Sequence, residues 1–260
     1  QDPEANYWVN ELRQLKGEPP ERFCWRIDGG AQRELLGKNF LGAEAWAAQG
    51  VDVGAVPPFP ATITEALLNS ECPLHPGEKI KDTHLLVLVP KTVNGEPYTA
   101  LKLDELCATR KGSGDKLIFD GADWATKWKR QDWAKAPQAQ SEWVLIPKSD
   151  PDPERMREKY GDEEGDKRHF RSKDIAAQQD VHGKHYTEYR EVKALEVMTM
   201  ALLYDLTHKE RLPPDYLRCE EPNAFGGRVC VGNFGAIGLK VHDDYDDFDS
   251  ARLGRALARK

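Results

Sequence analysis

The sequence predicts an α+β fold in which a mixed or mostly antiparallel sheet packs against helices. Three observations predict it. Thr83–Pro90 (THLLVLVP) is a continuous apolar run of strand length, as expected of a strand covered on both faces. Ala194–Leu206 is apolar nearly all round, as expected of a helix with neighbours on every side. Strands and helices otherwise alternate irregularly and several turns read as hairpins, unlike the regular alternation of a doubly wound sheet. With 39% apolar and 31% charged residues, the chain can bury a core and is not a wholly disordered one.

In chain order, Ala5–Lys16 and Glu34–Gln49 read as helices, the second closed by Gly50 in a left-handed C-cap. Val51–Pro60 is a Pro/Gly connection. Thr62-Ile63-Thr64-Glu65 reads as a capping box opening a short helix that buries Ile63, Ala66 and Leu67, with Pro73 and Pro76 beyond it. Thr83–Pro90 is the central strand. Asn94-Gly95 signals a tight turn, and Pro97 confines the strand after it to an edge. Leu101–Thr109 is a short helix, Lys116–Phe119 and Glu142–Pro147 are strands, and Trp124–Trp133 between them is helical.

Lys148–Asp174 is dense in both charges and holds Pro151 and Pro153, so it reads as a solvated excursion or linker. Glu188–His208 is the longest helix, ended by Pro213-Pro214, with Lys209 and Arg211 favourable near its C-terminal dipole. Arg228–Val231 and Ile237–Val241 form a hairpin, followed by an acidic run (Asp243–Asp249) and a basic one (Arg252–Lys260). The expected organisation is an N-terminal α+β portion (1–147), a charged linker (148–174), and a helix-plus-hairpin portion (175–260) on the same sheet. That single sheet would hold Thr83–Pro90, Glu142–Pro147 and the hairpin, with the long helix across it.

Thirty-seven Lys and Arg against 44 Asp and Glu leave a net charge of −7, which argues against a nucleic-acid binder. No apolar run approaches the ~18–20 residues of a membrane span. Five cysteines, at 24, 72, 107, 219 and 230, form no Cys-x-x-Cys pair. They read as reduced thiols of a cytoplasmic protein, a Cys219–Cys230 bridge in an exported one being the alternative. The chain opens on Gln1 rather than Met and reads as a fragment, or a processed product, of something longer.

Four groups of residues are candidates for chemistry. His182-Gly183 followed 48 positions later by Cys230 resembles the caspase-like arrangement, in which an imidazole serves a thiolate. Against it, Lys173–Val181 is polar, Cys230 lies inside a strand rather than at its end, and no Gln-Ala-Cys precedes it; a buried sheet cysteine is the simpler reading. His182 and His185, three apart on a helix, could share a metal with His169 or Glu188. Asp243, Asp244, Asp246, Asp247 and Asp249 offer hard-cation oxygens, but without the glycine and closing glutamate of an EF-hand. Trp124, Lys127, Trp128, Lys129, Arg130, Trp133 and Lys135 form a basic-aromatic patch, with Trp124 and Trp128 on one helical face and Trp133 off it; an amphipathic helix burying two indoles, a stacking platform for single-stranded nucleic acid and a protein-binding surface all fit it. The glycines at 226, 227, 232, 235 and 238 flank strands and suit turns better than a phosphate loop.

Asp82–Pro97 (DTHLLVLVPKTVNGEP), Glu142–Leu145 (EWVL), Arg218-Cys219-Glu220, Val231-Gly232-Asn233-Phe234 and Gly238-Leu239 resemble segments of an uncharacterised bacterial hypothetical-protein domain family. The resemblance implies a recurrent domain, often set in longer proteins, and assigns no catalytic residue. The sequence therefore leads to a non-enzymatic interaction or regulatory module with no cofactor and another protein as partner. A cysteine hydrolase using Cys230 and His182, or a metal-binding domain, is the alternative.

Overall fold

The computed structural model describes residues 30–108, 117–119, 127–168, 175–213, 215–222, 227–236, 238–243 and 253–260. The chain builds α1 (Gly30–Leu36), a 3-10 turn (Gly37–Asn39), β1 (Phe40–Leu41), α2 (Ala43–Ala47), α3 (Glu65–Asn69), α4 (Ile80–Thr83) and β2 (His84–Val89). Then come β3 (Thr92–Val93), β4 (Glu96–Pro97), α5 (Ala100–Ala108), a second 3-10 turn η2 (Lys127–Arg130), α6 (Asp132–Lys135) and β5 (Glu142–Pro147). The rest comprises α7 (Pro153–Tyr160), α8 (Asp162–Arg168), α9 (Ile175–His185), β6 (Tyr189–Glu191), α10 (Ala194–His208), β7 (Tyr216–Pro222), β8 (Arg228–Gly235), β9 (Gly238–Asp243), β10 (Leu253–Arg255) and β11 (Leu257–Arg259). This is an α+β fold. No helix among the described residues is long and apolar enough to cross a membrane.

Two main sheets divide the strands where one was expected, with β3 and β4 paired as a separate two-stranded hairpin. The first runs β1-β2-β5-β11-β6, parallel between β1 and β2 and antiparallel elsewhere; the second runs β10-β7-β8-β9, parallel only between β10 and β7. The β8–β9 hairpin forms as expected but belongs to the second sheet, because α10 lies between the two. It packs on β1 and β2 on one side and on β7, β8 and β9 on the other. That position explains a helix without a polar face: every residue from Ala194 to Asp205 is buried. The helix is shorter than expected. Residues 189–191 form β6, and the helix starts at Ala194, where Glu196 turns back to accept the Lys193 N–H at 2.8 Å.

All six residues of β2 are buried, as the apolar run requires. Leu85, Val87 and Val89 join the core around α10, while Leu86 faces a second cluster with Leu36, Leu68, Cys72, Ile80 and Tyr189 under the outer helices. Asn94 (φ 51°) and Gly95 (φ 79°) make the tight turn between β3 and β4. Gly50 is left-handed (φ 68°) as expected, although the segment before it breaks into α1, a 3-10 turn, β1 and α2. The short-helix cap falls on Thr64, not Thr62: its Oγ1 accepts the Leu67 N–H at 3.1 Å.

The charged stretch at 148–174 departs most from expectation, since residues 153–168 form a helical pair rather than a linker. Asp152 caps α7 by accepting the Glu154 N–H at 2.9 Å, and Pro153 occupies the first turn. Met156 is fully buried, and Gly165 allows α8 to approach the Arg157 backbone closer than any β-carbon would permit. Arg157–Asp166 (2.6 Å) and Lys159–Glu71 (2.8 Å) tie the pair together and to the body. The basic run near 252–260 is likewise no solvated tail. It supplies β10 to one sheet and β11 to the other, so strands from 1–147 and 175–260 share the first sheet.

Candidate functional site

The sequence-predicted patch on η2 and α6 takes a definite form. Trp128 is buried at 1% exposure and stacks on half-buried Trp133, with centroids 5.7 Å apart and an interplanar angle of 21°. Trp133 Nε1 donates to Gln131 Oε1 at 3.1 Å. Lys129 reaches Asp104 at 2.5 Å, with its ammonium 5.5 Å from the Trp128 ring centroid. Lys127, Arg130 and Lys135 are exposed around the pair, and Lys135 Nζ donates to the Arg130 carbonyl at 3.0 Å. Trp128 is thus a core residue supporting Trp133, not a surface anchor, because its apolar ring is worth more to the fold inside. Trp124 lies outside the described residues.

A second polar assembly sits where the two sheets meet. Ala256, between β10 and β11, donates its N–H to the Arg218 carbonyl at 2.8 Å and accepts from Val192 at 3.2 Å; Glu220 N–H reaches the Val192 carbonyl at 2.8 Å. Charged side chains gather on this seam. Arg190 grips the fully buried Glu196 with both nitrogens, at 2.9 and 2.7 Å, and lies 4.0 Å from Glu142. Arg255 pairs with Glu191, which also faces Arg228 at 3.9 Å. Burial pulls Arg255 down to about 10. Glu221 accepts the Ala194 N–H at 2.8 Å at the start of α10. Desolvation, then the neighbouring Glu220 and Glu196 carboxylates, push it up to about 7 against the opposing pull of that hydrogen bond.

His182 and Cys230 are not assembled into a pair. His182, on α9, donates Nε2–H to the Tyr189 carbonyl at 2.9 Å and lines an open cleft over the seam with Gln179, Arg190, Glu220, Arg255 and Lys260. Burial lowers its pKa. Cys230 is fully buried on β8, clusters with Tyr216 and faces Arg218, which in turn faces Arg255. Two strand spacings of about 4.8 Å therefore place Cys230 about 10 Å across the sheet from the cleft rim at Arg255.

No family model matches the chain, and no curated protein and no solved structure matches it. Roles for its residues therefore come from geometry.

The histidines at 182 and 185 diverge, His185 Nδ1 lying 3.9 Å from Glu164. Among the described residues no three His, Cys, Asp or Glu side chains gather as metal ligands. Asp243 closes β9, while Asp244, Asp246 and Asp247 lie outside the described residues. Sequence reasoning missed the seam. Its visible signal was Glu196, a carboxylate near the start of the apolar helix α10. It also missed His84, fully buried on β2, which shares hydrogen bonds with Thr83 Oγ1 (2.9 Å) and Tyr189 OH (3.1 Å). Burial holds that imidazole neutral, its pKa pushed down to about 3, which suits a structural strut.

Proposed function

We propose that the chain is a non-catalytic protein-interaction or regulatory module that binds another protein through η2 and α6. The observation that carries this reading is the stacked indole pair: Trp133 stands half-exposed on a buried Trp128, with Lys127, Arg130 and Lys135 exposed on the same turns and Lys129 paired with Asp104. A rigid aromatic ring in a cationic rim is the composition of an interface anchor and suits a partner with an acidic surface. The seam, by contrast, spends its charges on one another and joins the two sheets. Four buried cysteines outside any disulfide, Cys72, Cys107, Cys219 and Cys230, fit a reducing compartment, and we place the module in the bacterial cytoplasm.

The test is affinity capture of a partner followed by measurement with Trp133→Ala and Arg130→Glu. The reading expects each to weaken binding by about tenfold or more, about 1.4 kcal/mol; Arg130→Glu leaves the melting temperature unchanged, whereas Trp133→Ala also strips packing from Trp128 and lowers it. Partner recovery unchanged by both substitutions would remove the patch from the account.

A further inference from the structure

The segment between α2 and α3 is tied at both ends and pinned to the body along one edge. Near its start, Asp52 N–H donates to Asn94 Oδ1 at 2.9 Å, Asn94 N–H donates back to the Asp52 carbonyl at 2.7 Å, and Gly54 N–H caps Asp52 Oδ1 at 2.9 Å. At its end, Ile63 N–H donates to the Pro60 carbonyl at 3.1 Å. Between these ties Trp143, on β5, donates Nε1–H to the Pro57 carbonyl at 3.1 Å, and the Phe59 ring lies 5.9 Å from the Trp143 ring. The segment is thereby pinned to the first sheet. Its outer edge is left open: Pro58 is exposed, and Val56, at 40% exposure, is the one exposed large hydrophobic side chain among the described residues.

The backbone of Val56-Pro57-Pro58-Phe59-Pro60 has little freedom. Each proline ring holds φ near −65°, and the residues before a proline (Val56, Pro57 and Phe59) are sterically confined to extended or polyproline geometry. Such a stretch has no internal hydrogen bonds, and three of its five residues lack an N–H. A chain already ordered in this way loses little conformational entropy on binding. Grooves lined by aromatic rings recognise this backbone by packing against the proline edge.

We propose that Ala55–Pro60 is a docking epitope for a partner domain whose groove of Trp and Tyr rings reads polyproline II backbone, with Val56 and Pro58 as the side chains it takes up. This surface is separate from the indole patch on η2 and α6 and stands whether or not that patch binds.

The experiment probes the intact chain against an array of purified Src-homology-3 and WW domains. Affinity is read by fluorescence anisotropy, and the Trp143 indole N–H is followed by NMR. The proposal expects at least one domain to bind, with the Trp143 resonance shifting on saturation. Val56→Asp and Pro58→Ala, two exposed positions whose melts should match the parent, each weaken that binding by about tenfold or more. Arg130→Glu, on the other surface, leaves it unchanged. The proposal is overturned if no domain in the array binds, if binding survives both substitutions, or if binding leaves the Trp143 signal where it was.

Discussion

Replacing Glu221 by Gln should stabilise the protein above neutral pH and do nothing in acid. The carboxyl sits at the first turn of α10, accepting the Ala194 N–H at 2.8 Å, with Glu220 and Glu196 as its charged neighbours. Burial is the first cause of its rise from 4.5 to about 7. A folded-state value above the unfolded one means that the native protein holds this proton more tightly. Stability is then full below about pH 4.5, falls as pH rises toward 7, and stays reduced above it. At about 1.4 kcal/mol per pH unit the full span is about 3 kcal/mol, and the partly open side chain brings the expectation to about 2–3 kcal/mol.

Gln keeps the carbonyl that accepts from Ala194 and removes the charge. Its amide can donate to the nearby carboxylates. The assay is urea unfolding of both proteins at about pH 5 and about pH 8. The variant should exceed the parent by about 2–3 kcal/mol at the higher pH and match it as pH approaches 4.5. His84 contributes the opposite slope: its lowered value makes stability rise with pH between about 3 and 6.5. That slope is common to both proteins and cancels in the difference. A variant less stable than the parent at pH 8, or parallel to it across the range, would refute the reasoning.

Three further outcomes follow from the packing. Leu202, fully buried in α10 between the sheets, should cost about 2–5 kcal/mol on replacement by Ala, read from urea melts. Gly254→Ala should destabilise, because a β-carbon there would meet the Asp150 carboxylate; adding Asp150→Ala should recover part of the loss, a coupling that a double-mutant cycle reads directly. Cys72, Cys107, Cys219 and Cys230 should resist alkylation in the native protein and react on unfolding. Rapid native labelling at Cys230 that is lost in His182→Ala would instead favour the hydrolase reading.

What the sequence displayed and what it hid have physical reasons. The β2 run, the Asn94-Gly95 turn and the apolar body of α10 were legible because each depends on a local pattern: continuous burial, positive φ, or the lack of a polar face. The second sheet was not legible. A helix apolar all round announces neighbours on every side but does not say that those neighbours are two separate sheets. Residues 153–168 looked like a linker because their stability rests on one buried methionine, an Asp152 cap and ion pairs reaching to Glu71, partners that charge density alone conceals. The stretch 253–259 looked like a basic tail because three of its five apolar positions, Gly254, Ala256 and Ala258, are small and only Leu253 and Leu257 are large; the arginines between them meet Glu191 and the Tyr189 ring only in three dimensions. The indole patch was half legible: residue types announced a cluster of Trp and basic side chains, but helical spacing set Trp133 apart from Trp128, and only the packing showed that these two rings stack and which is buried.

The central claim, binding through the Trp133 face, is tested most directly by site-specific photo-crosslinking from position 130, with position 38, exposed on the Gly37–Asn39 turn, as the control. The account predicts a crosslink from position 130 to an acidic surface of one partner, suppressed by Trp133→Ala and absent from position 38. Equal crosslinking from both positions, or a yield indifferent to Trp133, would contradict it.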